Sequence, residues 1–340
     1  MFSIAVDVMG GDLGPRVALK ACKKLLKQRP DARLIICIVE SELNLAIRYL
    51  RSFDRVTCVG CESQIAMSDK PARVLRDGLN STMAQALREV KEGRAQAVLS
   101  AGNTGALMAL SMAILGTLNG IDRPALATLL PTRHKPLLML DLGANLNVPT
   151  DLLMQFAALG YCWSARFITP DPKLALLNVG KEVTKGTERI KDCDQRLQAM
   201  LGDSYVGFAE GNDIYQGELD VLITDGFVGN VVLKASESLC YWLIEQMHTE
   251  FKRHWLRRFL MPLWWRAVNH IEARMSPARN SGALMLGVDG IVVKTHGSSD
   301  NRTFLHALNY VSQQAEAFDK PALEQALHEL QEKIKIPFDE

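Results

Sequence analysis

Four apolar runs in the 340-residue sequence each end in a turn of Gly, Asp, Asn and Ser or Thr. Ile4-Ala5-Val6-Asp7 leads into Met9-Gly10-Gly11-Asp12, and Ala97-Val98-Leu99-Ser100 into Ala101-Gly102-Asn103-Thr104-Gly105. Leu137-Leu138-Met139-Leu140 leads into Asp141-Leu142-Gly143-Ala144-Asn145, and Val221-Leu222-Ile223-Thr224 into Asp225-Gly226-Phe227-Val228-Gly229-Asn230. Glycine lets backbone N–H groups approach an anion, and a helix that starts there adds the positive end of its dipole. In open α/β sheets ligands bind outside the carboxyl ends of the strands. The expected chemistry is phosphate handling in one polar crevice assembled from distant segments. Taken singly, each turn is also what a tight strand-to-helix connection requires.

Ser100 to Gly105 is the best single anion cradle, because its small residues expose N–H groups and Asn103 and Thr104 add side-chain donors. The Asp225 to Asn230 turn has the same layout and leads into a helix carrying Lys234. A late strand ends in Lys294, His296, Ser298 and Ser299, so cations and hydroxyls converge there. Asp7, Asp12, Asp141 and Asp225 would repel phosphate unless they orient neighbouring donors, accept from backbone N–H groups or hold a metal; orientation is the expectation.

Periodicity predicts strands at 2–8, 33–39, 54–59, 95–100, 125–130, 136–141, 173–179, 204–209, 220–225 and 290–295. It predicts helices at 15–28, 41–52, 82–92, 104–118, 151–164, 186–200, 229–250, 299–317 and 321–335. This alternation favours a three-layer α/β/α fold around a mostly parallel sheet. No Pro/Ser-rich linker divides the chain, so one domain over 1–340 is expected, with a helical insertion over 235–280.

A composition 48% hydrophobic supports a large core, and a net charge of +1 argues against a global attraction to nucleic acid. Seven scattered cysteines fit a reducing cytoplasm, and Cys58-Val59-Gly60-Cys61 lacks the second close pair that a metal knuckle needs. No metal is expected. Met1 leads straight into a strand without a signal-peptide pattern, so a cytoplasmic location is expected. Ala106 to Leu118 is shorter than the ~20 residues that span a bilayer, and reads as a buried helix.

Three of the five tryptophans fall between Lys252 and Arg274. At 100° per residue, Trp255, Leu256, Phe259, Leu260 and Leu263 share one helical face, with Arg257 and Arg258 on or beside the other and Trp264 following. Basic residues flanking such a face suit a helix in a membrane interface. A dimer-forming or core helix is the plainer alternative.

Seven ordered segments together resemble the bacterial phosphate acyltransferases of phospholipid synthesis, the acyl-carrier-protein:phosphate transacylases. They are Ala5–Asp12, Ser100–Leu107, Gly120–Ala125, Leu140–Asn145, Leu177–Gly180, Asp225–Lys234 and Lys294–Asp300. The resemblance covers nearly the whole chain. It implies transfer of a long-chain acyl group from acyl-carrier protein to inorganic phosphate, without a cofactor. It further implies a homodimer, a fold similar to isopropylmalate dehydrogenases and phosphotransacetylases, and hand-over of acyl phosphate to a membrane glycerol-3-phosphate acyltransferase. The protein would then sit peripherally on the inner face of the membrane. On this reading Gly102, Asn103 and Thr104 seat phosphate with help from Lys185, and Asn230 or His296 donates to the thioester oxyanion. Asp7, Gly10, Gly11, Asp12, Asp141, Asn145, Asp225, Gly226, Gly229, Lys294 and Ser298 complete the substrate site.

Two other readings stay open at this stage. A nucleotide-dependent dehydrogenase of related fold is one, although no Gly-x-Gly-x-x-Gly follows the first strand. A non-catalytic membrane scaffold is the other.

Overall fold

The computed structural model describes residues 2–252 and 282–334. The strands are β1 (Phe2–Asp7), β2 (Ala32–Val39), β3 (Val56–Cys61), β4 (Ala97–Ser100), β5 (Ala125–Leu130), β6 (Leu137–Leu140), β7 (Leu174–Leu177), β8 (Tyr205–Ala209), β9 (Val221–Ile223), β10 (Ala283–Leu286) and β11 (Ile291–Lys294). They form an 11-stranded sheet in the order β3-β2-β1-β4-β11-β10-β5-β6-β9-β7-β8. Seven of the neighbour pairs are parallel; β11–β10, β10–β5 and β5–β6 are antiparallel.

Three successive reversals turn the second half of the sheet over. The carboxyl ends of β1, β4 and β11 lie at one edge, and those of β6, β9 and β7 at the opposite edge. The expected single row of corners is therefore two groups. The strand β10 was not among those predicted, because its four residues, Ala283–Leu286, are too short an apolar run to show a period of their own.

The helices are α1 (Pro15–Gln28), α2 (Leu43–Leu50), α3 (Pro71–Asp77), α4 (Thr82–Lys91), α5 (Thr104–Ile114), α6 (Thr150–Phe167), α7 (Glu188–Leu201), α8 (Gly226–Lys252), α9 (Asn301–Ala317) and α10 (Lys320–Ile334). Residues alternate across each strand, so Ile4, Val6, Ala97 and Leu99 join one face while Ala5 and Val98 join the other. The first face packs continuously against α1, α2, α6, α7, α9 and α10. On the second face the core divides: one cluster packs under α3, α4 and α5, and another under the start of α8 through Val232 and Leu233. These layers give the α/β/α arrangement expected from the sequence.

Gly226 to Asn230, expected as a turn before a helix at 229, is already the first turn of α8. That helix continues unbroken through Lys252, and most of the expected 235–280 insertion lies outside the described residues. The membrane-face residues Trp255, Arg257, Arg258, Phe259, Leu260 and Trp264 lie outside the described residues. No helix among the described residues is long and apolar enough to cross a membrane.

Candidate active site

The first corner group is built from β1, β4 and β11. Asp7 is buried and accepts from the Ser100 hydroxyl at 2.7 Å and from the Met9 N–H at 3.2 Å. Ser100 Oγ in turn accepts from the Gly102 N–H at 3.1 Å. Burial pushes the Asp7 carboxyl upward against these stabilising bonds. A Cβ on Gly10 would stand 2.5 Å from Gly102 N, so the two backbones meet only because Gly10 lacks a side chain. Asp12 N donates to Gly297 O at 2.8 Å, which ties the β11 corner to the same group.

Asn103 caps α5 by accepting from Ala106 N at 3.0 Å. Its amide nitrogen donates to Met67 O at 2.8 Å and Asp69 O at 3.0 Å. Both amide hydrogens have backbone acceptors, so this side chain anchors a loop where the sequence suggested a phosphate donor. The first turn of α5, from Thr104, remains as the dipole element beside it.

The second corner group joins β6 and β9. Asp141 is buried and accepts from Leu126 N (3.0 Å), Ala144 N (3.1 Å), Asn145 N (2.7 Å) and Asn145 Nδ2 (2.9 Å). Burial pushes its carboxyl upward too. Asn145 also donates to Pro124 O at 2.9 Å. Asp225 caps α8 through Val228 N at 2.9 Å and pairs with Arg189 at 2.9 Å. A Cβ on Gly226 would meet Asn145 O at 2.5 Å, and one on Gly229 would overlap Asp141 O. Asp7, Asp141 and Asp225 all accept from backbone N–H groups, one of the three roles open to them in the sequence.

A cavity of about 480 Å³ connects the two groups across the divided face. From the first group it is lined by Asp12, Thr104, Lys294, His296 and Ser298, and from the second by Gly143 and Asn230. Helix α8 forms one wall with Leu233, Lys234, Glu237 and Tyr241, and β5 forms an apolar floor with Leu126, Leu129 and Leu130. Asp7, Gly10, Gly11, Gly102, Asn103, Asp141, Asn145, Asp225, Gly226 and Gly229 do not line it, and several of them build the frame behind the lining residues. Lys185 sits on the exposed loop after β7, at the same sheet edge as the β9 corner, and is not a lining residue.

The cavity has a cationic end. Lys294 is buried, and its ammonium donates to Thr295 O. Desolvation first, then repulsion from Lys234, brings Lys294 down to about 8. Lys234 pairs with Glu237 at 2.8 Å. The imidazole of His296 is lowered by desolvation and then by Lys234 and Lys294. Ser298 Oγ lies 2.7 Å from His296 Nδ1, and Ser298 N donates to the same nitrogen at 3.3 Å. Glu237 is a charged lining residue that sequence reasoning missed, as it missed the polar Thr128, Tyr215, Ser236, Tyr241 and Thr303. For Glu237, its i,i+3 spacing from Lys234 on one helix was the available signal.

The pattern of a family described as "Fatty acid synthesis protein" matches residues 2–319. A phosphate acyltransferase from Stutzerimonas stutzeri is 41% identical over 321 residues, covering 94% of this chain and 90% of the relative. One from Shewanella loihica is 40% identical over 318 residues, covering 92% and 93%. Among solved structures, a phosphotransacetylase from Streptococcus pyogenes aligns with a TM-score of 0.62 at 15% identity, covering 93% of this chain and 94% of the other. A putative 4-hydroxythreonine-4-phosphate dehydrogenase from Salmonella typhimurium aligns with a TM-score of 0.53 at 10% identity, covering 92% and 99%. Those two likenesses show a fold shared between transferases and dehydrogenases. The family match and the ~40% identity over nine-tenths of the chain carry more: the chain belongs to the fatty acid synthesis protein family, among its phosphate acyltransferase enzymes.

Proposed function

We propose that the enzyme moves a long-chain acyl group from acyl-carrier protein to inorganic phosphate, for use in phospholipid synthesis. The observation that carries this reading is the two-sided cavity: Lys294, Lys234 and His296 at one end, and Leu126, Leu129, Leu130 and Leu233 along its floor and wall. An acyl phosphate has the same two-part chemistry, an anionic head on an apolar chain.

A phosphate oxygen attacks the thioester carbonyl carbon, charge gathers on the carbonyl oxygen, and its collapse breaks the C–S bond. The proton carried by monohydrogen phosphate ends on the departing thiol, so the balance needs no further reactant. Phosphate dianion needs positioning and charge neutralisation more than it needs a strong base. Lys294, the first turn of α5 at Thr104 and Lys234 receive the phosphate. Asn230 or His296 donates to the oxyanion. Lys185, exposed on the loop after β7 and outside the cavity lining, is the further cation that a bound phosphate would recruit on the Asn230 side.

The exposed apolar residues Phe227, Val231, Leu239 and Trp242 on α8 support a homodimer through that helix. The basic, tryptophan-rich stretch after Lys252 supports peripheral contact with the inner membrane face, where acyl phosphate would pass to a glycerol-3-phosphate acyltransferase.

The deciding experiment incubates the purified chain with acyl-carrier protein bearing a long acyl group, with and without inorganic phosphate. Free thiol and acyl phosphate should appear together and only with phosphate. Thiol release that ignores phosphate sinks the reading.

A further inference from the structure

We propose that Ser298 is a positioning residue that fixes His296 as the Nε2–H tautomer, making the imidazole a neutral hydrogen-bond donor to the oxyanion. The idea rests on the acyl-transfer reading of the cavity, and it decides between two roles for His296. One is donation to the thioester oxygen; the other is protonation of the leaving thiolate.

The geometry points one way. Ser298 N carries a hydrogen and donates to His296 Nδ1, so that nitrogen is an acceptor. The Ser298 hydroxyl, 2.7 Å from the same atom, then serves as a second donor to it. A neutral imidazole whose Nδ1 accepts must carry its proton on Nε2. The turn that presents these groups is itself held. Thr295 Oγ1 and Ser299 Oγ lie 3.0 Å apart and buried, Ser299 N donates to His296 O at 3.0 Å, and Gly297 O accepts from Asp12 N.

The charged groups facing His296 favour the neutral ring. Lys294 on β11 and Lys234 on α8 oppose a positive imidazole, while Glu237 on α8 and Asp12 on the β1 corner act the other way and less strongly. A neutral donor suits this reaction. A thiolate leaves readily with its ordinary pKa near ~8.5 and needs no acid. The developing oxyanion does need a fixed dipole. In the step, Nε2 keeps its proton throughout: the phosphorus-bound oxygen forms the new C–O bond, the carbonyl π pair moves to oxygen and returns, and the C–S pair leaves with sulfur.

The test uses the full chain labelled with ¹⁵N at histidine. Near neutral pH the wild-type His296 signals should show a bare Nδ1 and a protonated Nε2. Ser298→Ala keeps only the 3.3 Å N–H contact, so its signals should move toward a tautomer mixture, and Ser298→Thr should restore them. With acyl-carrier protein as donor, kcat of Ser298→Ala should fall about fivefold to tenfold, the worth of one hydrogen bond, with the phosphate KM nearly unchanged. His296→Gln, whose amide N–H imitates Nε2–H without titrating, should exceed His296→Ala by about tenfold. Identical ¹⁵N spectra for wild type and Ser298→Ala, or His296→Gln no better than His296→Ala, overturns the proposal. A wild-type chain that transfers no acyl group overturns the functional reading and the oxyanion role with it, while the ¹⁵N spectrum still decides the tautomer.

Discussion

At the scale of single residues, Lys294 is the group whose chemistry and burial conflict most openly. Its ammonium is shut away from water and repelled by Lys234, which brings it down to about 8 from an ordinary 10.5. The sign of the stability effect follows. Between pH 8 and 10.5 the unfolded chain binds the proton that the folded chain has lost, so stability from this group rises with pH across that window. Below about pH 8 both states are charged and the full cost of burying the charge is present. The reason to keep such a group is a ligand of opposite sign. Lys294→Met should therefore stabilise the empty enzyme near neutral pH, yet raise the phosphate KM by about tenfold or more. In the wild type the phosphate KM should climb as pH passes about 8, and in Lys294→Met that limb should flatten. Initial rates against phosphate at several pH values, beside thermal melts of both proteins, check this. A wild-type KM that is level through pH 8 removes Lys294 from phosphate binding.

At the scale of elements, α8 is the piece that makes one site from two groups of corners. Its first turn is clamped at Asp225, which accepts from Val228 N and pairs with Arg189, while Arg189 also donates to Val148 O at 2.7 Å. Gly229 has no room for a side chain against Asp141 O. Asp225→Ala removes a helix cap and an ion-pair partner, and should cost about 1–2 kcal/mol in denaturant unfolding. Gly229→Ala should cost more, and by forcing α8 away from β6 it should lower kcat as well. Equal stability of Gly229→Ala and wild type would mean that α8 is not seated on that corner. This element also shows what sequence reading captures. The alternation of apolar runs marked all ten strands that were expected, and the Gly, Asp and Asn corners marked the frame of the site, because local backbone demands are written in local residue types. Strand direction is not local. The reversal at β10 and β5 depends on pairing between residues more than 150 positions apart, Leu284 with Ala127, and no periodicity reports it. The role of Asn103 escaped for a similar reason. Its type fits both a helix cap and an anion donor, and only the positions of Met67 O and Asp69 O decide between them.

At the scale of the whole molecule, the sheet runs unbroken through both halves, and the cavity lies against the strands where its direction reverses. The β11 corner brings Lys294, His296 and Ser298 to this cavity, the β6 and β9 side brings Gly143 and Asn230, and β5 lies between them. A ligand that fills it touches both halves, so its binding energy should appear in the stability of the entire chain. At a concentration tenfold above its dissociation constant, a ligand specific for the folded state adds about 1.4 kcal/mol. For a chain of this size that is on the order of 1–3 °C in the melting temperature. A long-chain acyl phosphonate, stable to hydrolysis, should raise a single calorimetric transition by at least this much. At the same concentration inorganic phosphate alone should raise it less, because it occupies only the cationic end, leaves the floor of Leu126, Leu129 and Leu130 wet and so binds more weakly. The shape of the transition matters as much as its position. If the two halves fold as one unit around the shared sheet, the peak should move without splitting. Two peaks, of which the ligand moves one, would place the binding site within a single half and would divide the expected single domain at the β5 reversal.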